Sequence, residues 1–300
     1  MKRRFLYFIN PISGTRKKDR LQSLIRRSME KAKYDFEIIY TNAEGEYNFL
    51  LEKMVTNQIT DVVICGGDGT ISQISNTVRK NPGVRIGIIP MGSGNGLALA
   101  AHIPLQTSRA LEIILQGNAK PVDALLINGR FSCMLCGLGF DAQVAHDFAK
   151  QKRRGWTSYA RQIIKHFSKA SAYPFEISLN NNRIHTQAFF ISIANSNQFG
   201  NHITIAPMAS ISDGLLDIVV VNKMSKSKLL FSVLKQIFFG KADLTMQNKF
   251  HTDDIQYFQT RSLKIKNPEK ALLHIDGDPA PTQDYFEITI IDAAFPLIQP

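Results

Sequence analysis

Short apolar runs alternate with stretches of helical periodicity through the first third of this 300-residue chain, and that alternation restricts the fold more than any other feature. "RFLYFIN", "FEIIYT" (Phe36 to Thr41), "DVVIC" and "RIGIIP" (Arg85 to Pro90) read as strands. Between them, Leu21, Leu24, Ile25, Met29 and Ala32 recur at helical spacing. Tyr47, Leu50, Leu51, Met54 and Val55 do the same, as do Ile71, Ile74 and Val78. After its aspartate "DVVIC" is wholly apolar, as suits a strand covered on both faces. The pattern predicts a Rossmann-like α/β domain: a parallel sheet with helices on both sides.

Around Pro121 the pattern changes. "PVDALLINGRFSCMLC" carries Asn128-Gly129 between two apolar runs, a hairpin signal. "PFEISLNNNRIHTQAFFISIAN" repeats it, with Asn180-Asn181-Asn182 as the expected turn. "GLLDIVVVN", "SLKIKN", "ALLHIDGD" and "YFEITIID" continue as strands. Helices are expected over Asp141 to Ala170, broken near Gly155, and from Ser225 to about Phe239. The second domain is therefore predicted to be a β-rich antiparallel sandwich over 123–292, following an α/β domain over 1–122. The closing "AFPLIQP" is apolar for an exposed tail, so 293–300 is expected to pack back onto the body.

In a parallel sheet, ligands sit at the carboxyl ends of strands. Three unusual loops follow strands of the first domain: "NPISG" (Asn10 to Gly14), "GGDGT" (Gly66 to Thr70) and "PMGSGNG" (Pro90 to Gly96). The latter two open onto predicted helices, whose first amides suit a phosphate. Their small residues let phosphate oxygens reach the backbone, and Ser13, Thr70, Ser93 and Asn95 add short polar groups. Neither GxxxxGK[ST] nor GxGxxG is satisfied, since Ser72 and Leu97 stand where a third glycine would be. A polyphosphate would then be held by backbone amides and a divalent cation, and the cation explains Asp68, which phosphates alone would repel.

"INPISG", "GGDGT" and "GSGN", in that order and followed by a β-rich half, resemble the diacylglycerol kinase catalytic-domain family, which includes bacterial lipid kinases and sphingosine kinases. "GLGFDAQVA" (Gly137 to Ala145) looks like its Gly-Phe-Asp segment. "SISDGLLDIVVV" (Ser210 to Val221) is similar to its Asp-Gly-x-Leu-Asp strand, and "HIDGDP" (His274 to Pro279) to its late Asp-Gly-Glu element. "GGDGT" alone is shared with NAD kinases and resembles a phosphofructokinase loop; six elements in order are far more specific.

The resemblance implies an ATP-dependent lipid kinase acting on diacylglycerol or a sphingoid-type lipid, with ATP and Mg2+ as cofactors and the active site in a cleft between two domains. Asn10, Pro11, Ser13, Gly14, Thr41, Gly66, Gly67, Asp68, Gly69, Thr70, Ser93, Gly94 and Asn95 would cradle ATP. Asp68 would organise phosphates and magnesium. Asp213 would hold a structural cation with backbone groups near Ser210 and Leu215. Asp276 and Asp278 would form the catalytic element, one of them activating the acceptor hydroxyl. Read from the residues alone, "HIDGDP" is more readily a plain β-turn, since Asp, Gly and Pro are common turn residues; the other motifs reverse that preference. The chain departs from the family at Ser72 and Gln73, where Asn-Glu is common, at Gly96, where bacterial diacylglycerol kinases carry Asp, and at Asp278, where Glu is usual. Gln143 stands near the place of an acidic residue suited to a sphingoid amine.

The 36 Lys+Arg against 25 Asp+Glu give a formal charge of +11, which suits an anionic partner or, equally, a basic solvated surface. "KQKRRGW" (Lys150 to Trp156) sets four cations beside the single tryptophan, suited to an anionic bilayer surface or simply to a solvated face. Arg16, Lys17 and Lys18 form an earlier basic cluster. No nucleic-acid module is present, and a homodimer stays open. Three cysteines give no disulfide framework, and Cys133 with Cys136 reads as a pair of buried thiols. The first apolar run is too short for a signal peptide. The expected location is cytoplasmic, peripheral at the inner membrane face. Two competing functions are a soluble-substrate kinase of the NAD kinase type and a catalytically silent lipid- or nucleotide-binding protein.

Overall fold

A computed structural model describes residues 2–14, 18–42, 45–149, 170–179, 182–198, 204–225 and 254–300. The chain divides into two compact units, one of residues 1–123 with 293–300, the other of residues 124–292.

In the first unit, β1 (Arg4–Ile9), β2 (Asp35–Tyr40), β3 (Asp61–Gly66) and β4 (Arg85–Pro90) are all parallel, in the spatial order β2-β1-β3-β4. Helices α1 (Lys18–Ala32), α2 (Phe49–Thr56), α3 (Asp68–Val78), α4 (Gly96–Ala100) and α5 (Thr107–Gln116) supply the crossovers and cover. Strand β3 is buried along its whole length, as its unbroken apolar run predicted. Alternate residues of β1, namely Phe5, Tyr7 and Ile9, pack with Leu21, Ile25 and Met29 of α1 and Leu111 and Ile114 of α5. The intervening Leu6 and Phe8 are equally buried on the opposite face, where α2 and α3 contribute Leu50, Met54, Ile71 and Ile74. Each such side chain is worth about 1.5–3 kcal/mol of burial, and this two-sided cover holds the strand ends in place.

The start of β3 carries a charge that the hydrophobic pattern did not explain. Asp61 is fully buried, and Arg3 approaches it with Nε at 3.0 Å and Nη2 at 2.8 Å. Arg85 reaches it at 2.9 and 3.0 Å, and Thr60 Oγ1 donates at 2.7 Å. Both guanidinium groups continue to the C-terminal end of α5, donating to the carbonyls of Ile114, Leu115 and Gly117. Cations suit a helix C-terminus, so one buried carboxylate organises a helix end and two strands.

The tail is as apolar in place as in sequence. Phe295, Leu297 and Ile298 are buried, Leu297 pairs in parallel with Ile86 of β4, and Gln299 N–H donates to the Asn118 carbonyl at 2.9 Å. Ala293 N–H donates to the Asp123 carboxylate at 2.7 Å.

The second unit is antiparallel throughout its described pairings. β5 (Ala119–Ile127), which enters it at Ala124, pairs with β6 (Arg130–Ser132) through a two-residue turn. Asn128 and Gly129 both have positive φ, as the Asn-Gly signal requires. β7 (Leu135–Gly139) leads into α6 (Phe140–Ala149); the rest of the expected 141–170 helix and the helix expected after Ser225 lie outside the described residues. β8 (Tyr173–Leu179) and β9 (Asn182–Ala194) pair so that Leu179 meets Asn182, which places Asn182 in the strand and not in the turn. β10 (Leu216–Asn222), β11 (Ile255–Thr260), β12 (Ser262–Lys266), β13 (Leu273–Ile275), β14 (Asp278–Ala280) and β15 (Tyr285–Ile298) complete the unit, with the end of β15 belonging to the first. Its core gathers Ile127, Leu138, Phe175, Ile177, Ile191, Ile193, Ile218, Val220, Ile265 and Phe286. Cys65, Cys133 and Cys136 are all buried free thiols. Among the described residues no helix is long and apolar enough to cross a membrane.

Candidate functional site

The strand order of the first unit decides where its ligand loops lie. The chain passes from β1 to β2 on one side and returns to β3 on the other, so β1 and β3 are adjacent strands whose following loops diverge. This topological switch point is where doubly wound sheets bind ligands. The loops after β1 and β3 are "NPISG" and "GGDGT". They are joined directly: Asn10 Nδ2 donates to Thr70 Oγ1 at 2.7 Å. The Asn10 Oδ1 in turn accepts the Ile12 N–H at 3.0 Å and folds its own loop. Pro11 and Gly14 are exposed, Ser13 is half-buried, and Thr41 N–H donates to the Ile9 carbonyl at 3.0 Å.

The third loop meets the second backbone to backbone. A Cβ on Gly92 would fall 2.7 Å from the Gly67 Cα, and one on Gly67 would fall 3.1 Å from the Gly92 Cα. Neither position tolerates a side chain without moving the other loop. Gly14 is held similarly, with φ +68° and the Met91 carbonyl 2.8 Å from where a Cβ would sit. Asn95 closes the third loop on itself, its amide accepting from Gly92 N–H at 2.7 Å and donating to the Gly92 carbonyl at 2.9 Å. Ser93 is exposed at the loop tip and Gly94 half-buried beside it.

Asp68 is the first residue of α3, where a carboxylate favours the helix dipole. Its Oδ1 also accepts the Leu97 N–H of α4 at 3.4 Å. Gly66, Gly67, Gly69 and Thr70 complete the turn around it. Ser72 is buried one turn along α3, whereas Gln73 is exposed and lies against Gly45. Sequence reasoning missed Lys18. It was grouped with the basic cluster, but its ammonium donates to the Ser13 carbonyl, and partial burial lowers its pKa. Its signal was position: the first helical residue after the first loop.

In the second unit, Asp276 and Gly277 form the turn between β13 and β14, both with positive φ. The two carboxylates of "HIDGDP" have different environments. Asp276 Oδ1 accepts from Ser132 Oγ at 2.6 Å, Met134 N–H at 3.1 Å and Leu135 N–H at 3.2 Å; Oδ2 accepts from Cys133 N–H at 3.3 Å. Asp278 is exposed on β14.

Asp213 is exposed and its Oδ1 accepts the Leu215 N–H at 3.1 Å, folding the turn through Gly214. Ser210 and Leu215 are half-buried. Among the described residues no group of three or more His, Cys, Asp or Glu side chains could hold a metal. A hard cation at this turn would draw on one carboxylate, backbone carbonyls and water, a set that suits magnesium or calcium and not a transition metal. Further along β10, Asp217 is buried and takes bonds from Tyr257 and Gln259; burial pushes its carboxyl up to about 6. Gln143 donates to Asp147 at 2.8 Å along α6. The Lys150 to Trp156 segment lies outside the described residues.

Comparison with known proteins matches the diacylglycerol kinase catalytic domain family to residues 4–127 and the YegS C-terminal NAD kinase beta sandwich-like domain to residues 135–289. A diacylglycerol kinase of Staphylococcus epidermidis is 23% identical over 283 residues, covering 93% of this chain and 86% of the relative. A Staphylococcus aureus diacylglycerol kinase is 25% identical over 285 residues, covering 93% and 87%. Among solved structures, a diacylglycerol kinase from Bacillus anthracis superposes with a TM-score of 0.73 at 19% identity, covering 99% of this chain and 97% of the other. Yeast NADH kinase, solved with NADH, superposes at 0.56 and 9% identity, covering 99% and 83%. These likenesses show the fold: a parallel α/β region followed by a β-sandwich-like domain.

Proposed function

Because the chain belongs to the diacylglycerol kinase catalytic-domain family and carries its YegS-like C-terminal domain, we propose that it is an ATP-dependent lipid kinase that phosphorylates a hydroxyl of diacylglycerol or a sphingoid-type lipid. What supports the reading most is the bond from Asn10 to Thr70, which joins two small-residue loops at the switch point of the sheet. Asn10 to Gly14, Thr41, Gly66 to Thr70 and Ser93 to Asn95 then bind the nucleotide phosphates through backbone amides and short polar side chains. Lys18 adds a cation beside the first loop.

Phosphoryl transfer is mainly positioning and charge neutralisation. Magnesium, when bound, would offset the charge of the phosphates, and Asp68 would help to hold it. Asp213, with backbone groups of Ser210 and Leu215, would hold a structural cation. The acceptor hydroxyl oxygen bonds to the γ-phosphorus, the bond to the bridging oxygen breaks, and ADP leaves. The hydroxyl proton goes to Asp278. Asp276 is less available to take it, because four donors already occupy its carboxylate oxygens. The basic surface charge would favour an anionic membrane face.

Radiolabelled ATP supplied over separate detergent micelles of diacylglycerol, sphingosine and ceramide tests the reading, with NAD as a soluble control. Labelled lipid in one micelle is the expected result. Measurable ATP binding with no labelled lipid would favour a silent binding protein, and label in the NAD control would favour a soluble-substrate kinase.

A further inference from the structure

The turn that leads into Asp278 has a second attachment, made from two buried residues that no element of the proposed chemistry uses. His274, on β13, is fully buried, and Asp141, near the start of α6, almost so. His274 Nε2 lies 3.3 Å from Asp141 Oδ2, and His274 Nδ1 lies 3.2 Å from the Gly277 backbone nitrogen. A backbone N–H can only donate, so Nδ1 must carry a lone pair. The neutral ring then bears its proton on Nε2, where the carboxylate accepts it. The other oxygen of Asp141 accepts the Ala142 N–H at 2.8 Å.

These four groups form a chain with fixed donors at both ends, the N–H of Ala142 and the N–H of Gly277. A carboxylate followed by a singly protonated imidazole satisfies every link. Gly137 shows that the fold makes room for the pair. It sits opposite His274 in the β7–β13 ladder, and a Cβ there would fall 2.1 Å from Asp141 Oδ2 and 2.5 Å from His274 Nε2. Its φ is not in the left-handed region, so glycine is required here by space and not by backbone conformation.

We infer that Asp141 and His274 are positioning residues for phosphoryl transfer: Asp141 fixes the imidazole tautomer, and His274 Nδ1 thereby holds the Gly277 amide and sets the turn that presents Asp278. The inference rests on the lipid-kinase reading for its rate readout, but its tautomer readout is independent of any activity. Asp141→Asn is nearly isosteric and leaves the chain of bonds one acceptor short. If the new amide oxygen serves Ala142, its NH2 faces Nε2, the ring proton moves to Nδ1, and Nδ1 opposes the Gly277 N–H. His274→Asn retains an oxygen close to the position of Nδ1 and has no tautomers.

The test uses the full-length protein in two measurements. With 15N-labelled histidine, the native His274 should show a bare Nδ1 and a protonated Nε2; a protonated Nδ1 would overturn the inference outright. In the micelle assay, Asp141→Asn should lower kcat by about tenfold to a hundredfold, with the KM for ATP within about twofold of the native value. The double variant Asp141→Asn with His274→Asn should recover most of that loss. A purely structural pair would lower thermal stability without moving kcat. Wild-type kcat in Asp141→Asn, or a double variant no better than the single, would overturn the positioning role alone. If no lipid is labelled by the native protein, the lipid-kinase reading fails and the rate assignment with it, whatever the tautomer.

Discussion

Asn10 and Thr70 sit 60 residues apart in sequence, yet a 2.7 Å bond from the amide of one to the hydroxyl of the other joins the loops after β1 and β3. The contact exists because β1 and β3 are neighbours running the same way, with Ile9 beside Cys65 at their ends. It makes two loops one cradle. Thr70 belongs to the first turn of α3, so the bond also ties the first loop to the N-terminus of that helix.

Breaking this bond should loosen nucleotide binding more than it loosens the fold. A neutral hydrogen bond of this kind contributes about 1 kcal/mol, or roughly fivefold in an equilibrium constant. Asn10→Ala and Thr70→Val should each weaken ATP binding by about that factor or somewhat more. The pair together should lose less than the sum, because both remove one bond. Calorimetric titration of ATP across the four proteins gives the coupling; strictly additive losses would mean that the loops act separately.

Asp68 accepts the Leu97 amide and is proposed to hold magnesium, and one substitution separates the two roles. Asp68→Asn keeps an oxygen for the Leu97 N–H and removes the charge. It should leave the melting temperature within about 2 °C and lower phosphoryl transfer by about a hundredfold or more. Near-native turnover would show that the carboxylate is only a bridge between α3 and α4.

Both domain patterns were legible because they rest on local periodicity. Strand β3 reads as buried from five residues, and Asn128-Gly129 announces its hairpin. The glycine loops were legible too, since only small residues let Gly67 and Gly92 approach as they do. What stayed hidden depends on distant partners. "HIDGDP" offers two similar carboxylates in sequence, and only the fold brings Ser132, 144 residues earlier, onto Asp276 and leaves Asp278 exposed. Lys18 read as surface charge until its bond to the Ser13 carbonyl placed it. "YFEITIID" runs on to Ile298 past Ala293, whose φ of 46° gave no sign in a residue type that rarely adopts it.

Asp61 should prove structural and remote from the chemistry. It lies at the amino end of β3, about 17 Å of strand from the loop that follows, and neutralises Arg3 and Arg85 in a buried setting. Asp61→Ala leaves two guanidinium groups partly buried without their shared carboxylate. A loss of about 3–5 kcal/mol in urea unfolding is expected, with kcat of the folded fraction close to native. A change below about 1 kcal/mol would mean that the α5 carbonyls satisfy the arginines alone.

The thiols give a pH-dependent check on both cores. Burial raises the Cys65 and Cys136 thiols well above their ordinary value of 9.0, with Asp276 and Asp141 adding to the effect at Cys136. The native state therefore keeps these protons at a pH where the unfolded chain releases them. Their stabilising contribution is complete below about pH 9 and falls as the pH rises through the range above it, by up to about 1.4 kcal/mol per pH unit for each thiol. Urea midpoints should thus decline between pH 9 and 10.5, and replacing both cysteines by alanine should flatten that decline. At pH 8 a disulfide reagent should label Cys65, Cys133 and Cys136 only as the protein opens, at a rate that urea accelerates. Fast labelling of any of the three in the native protein would show that its strand end or turn is not closed.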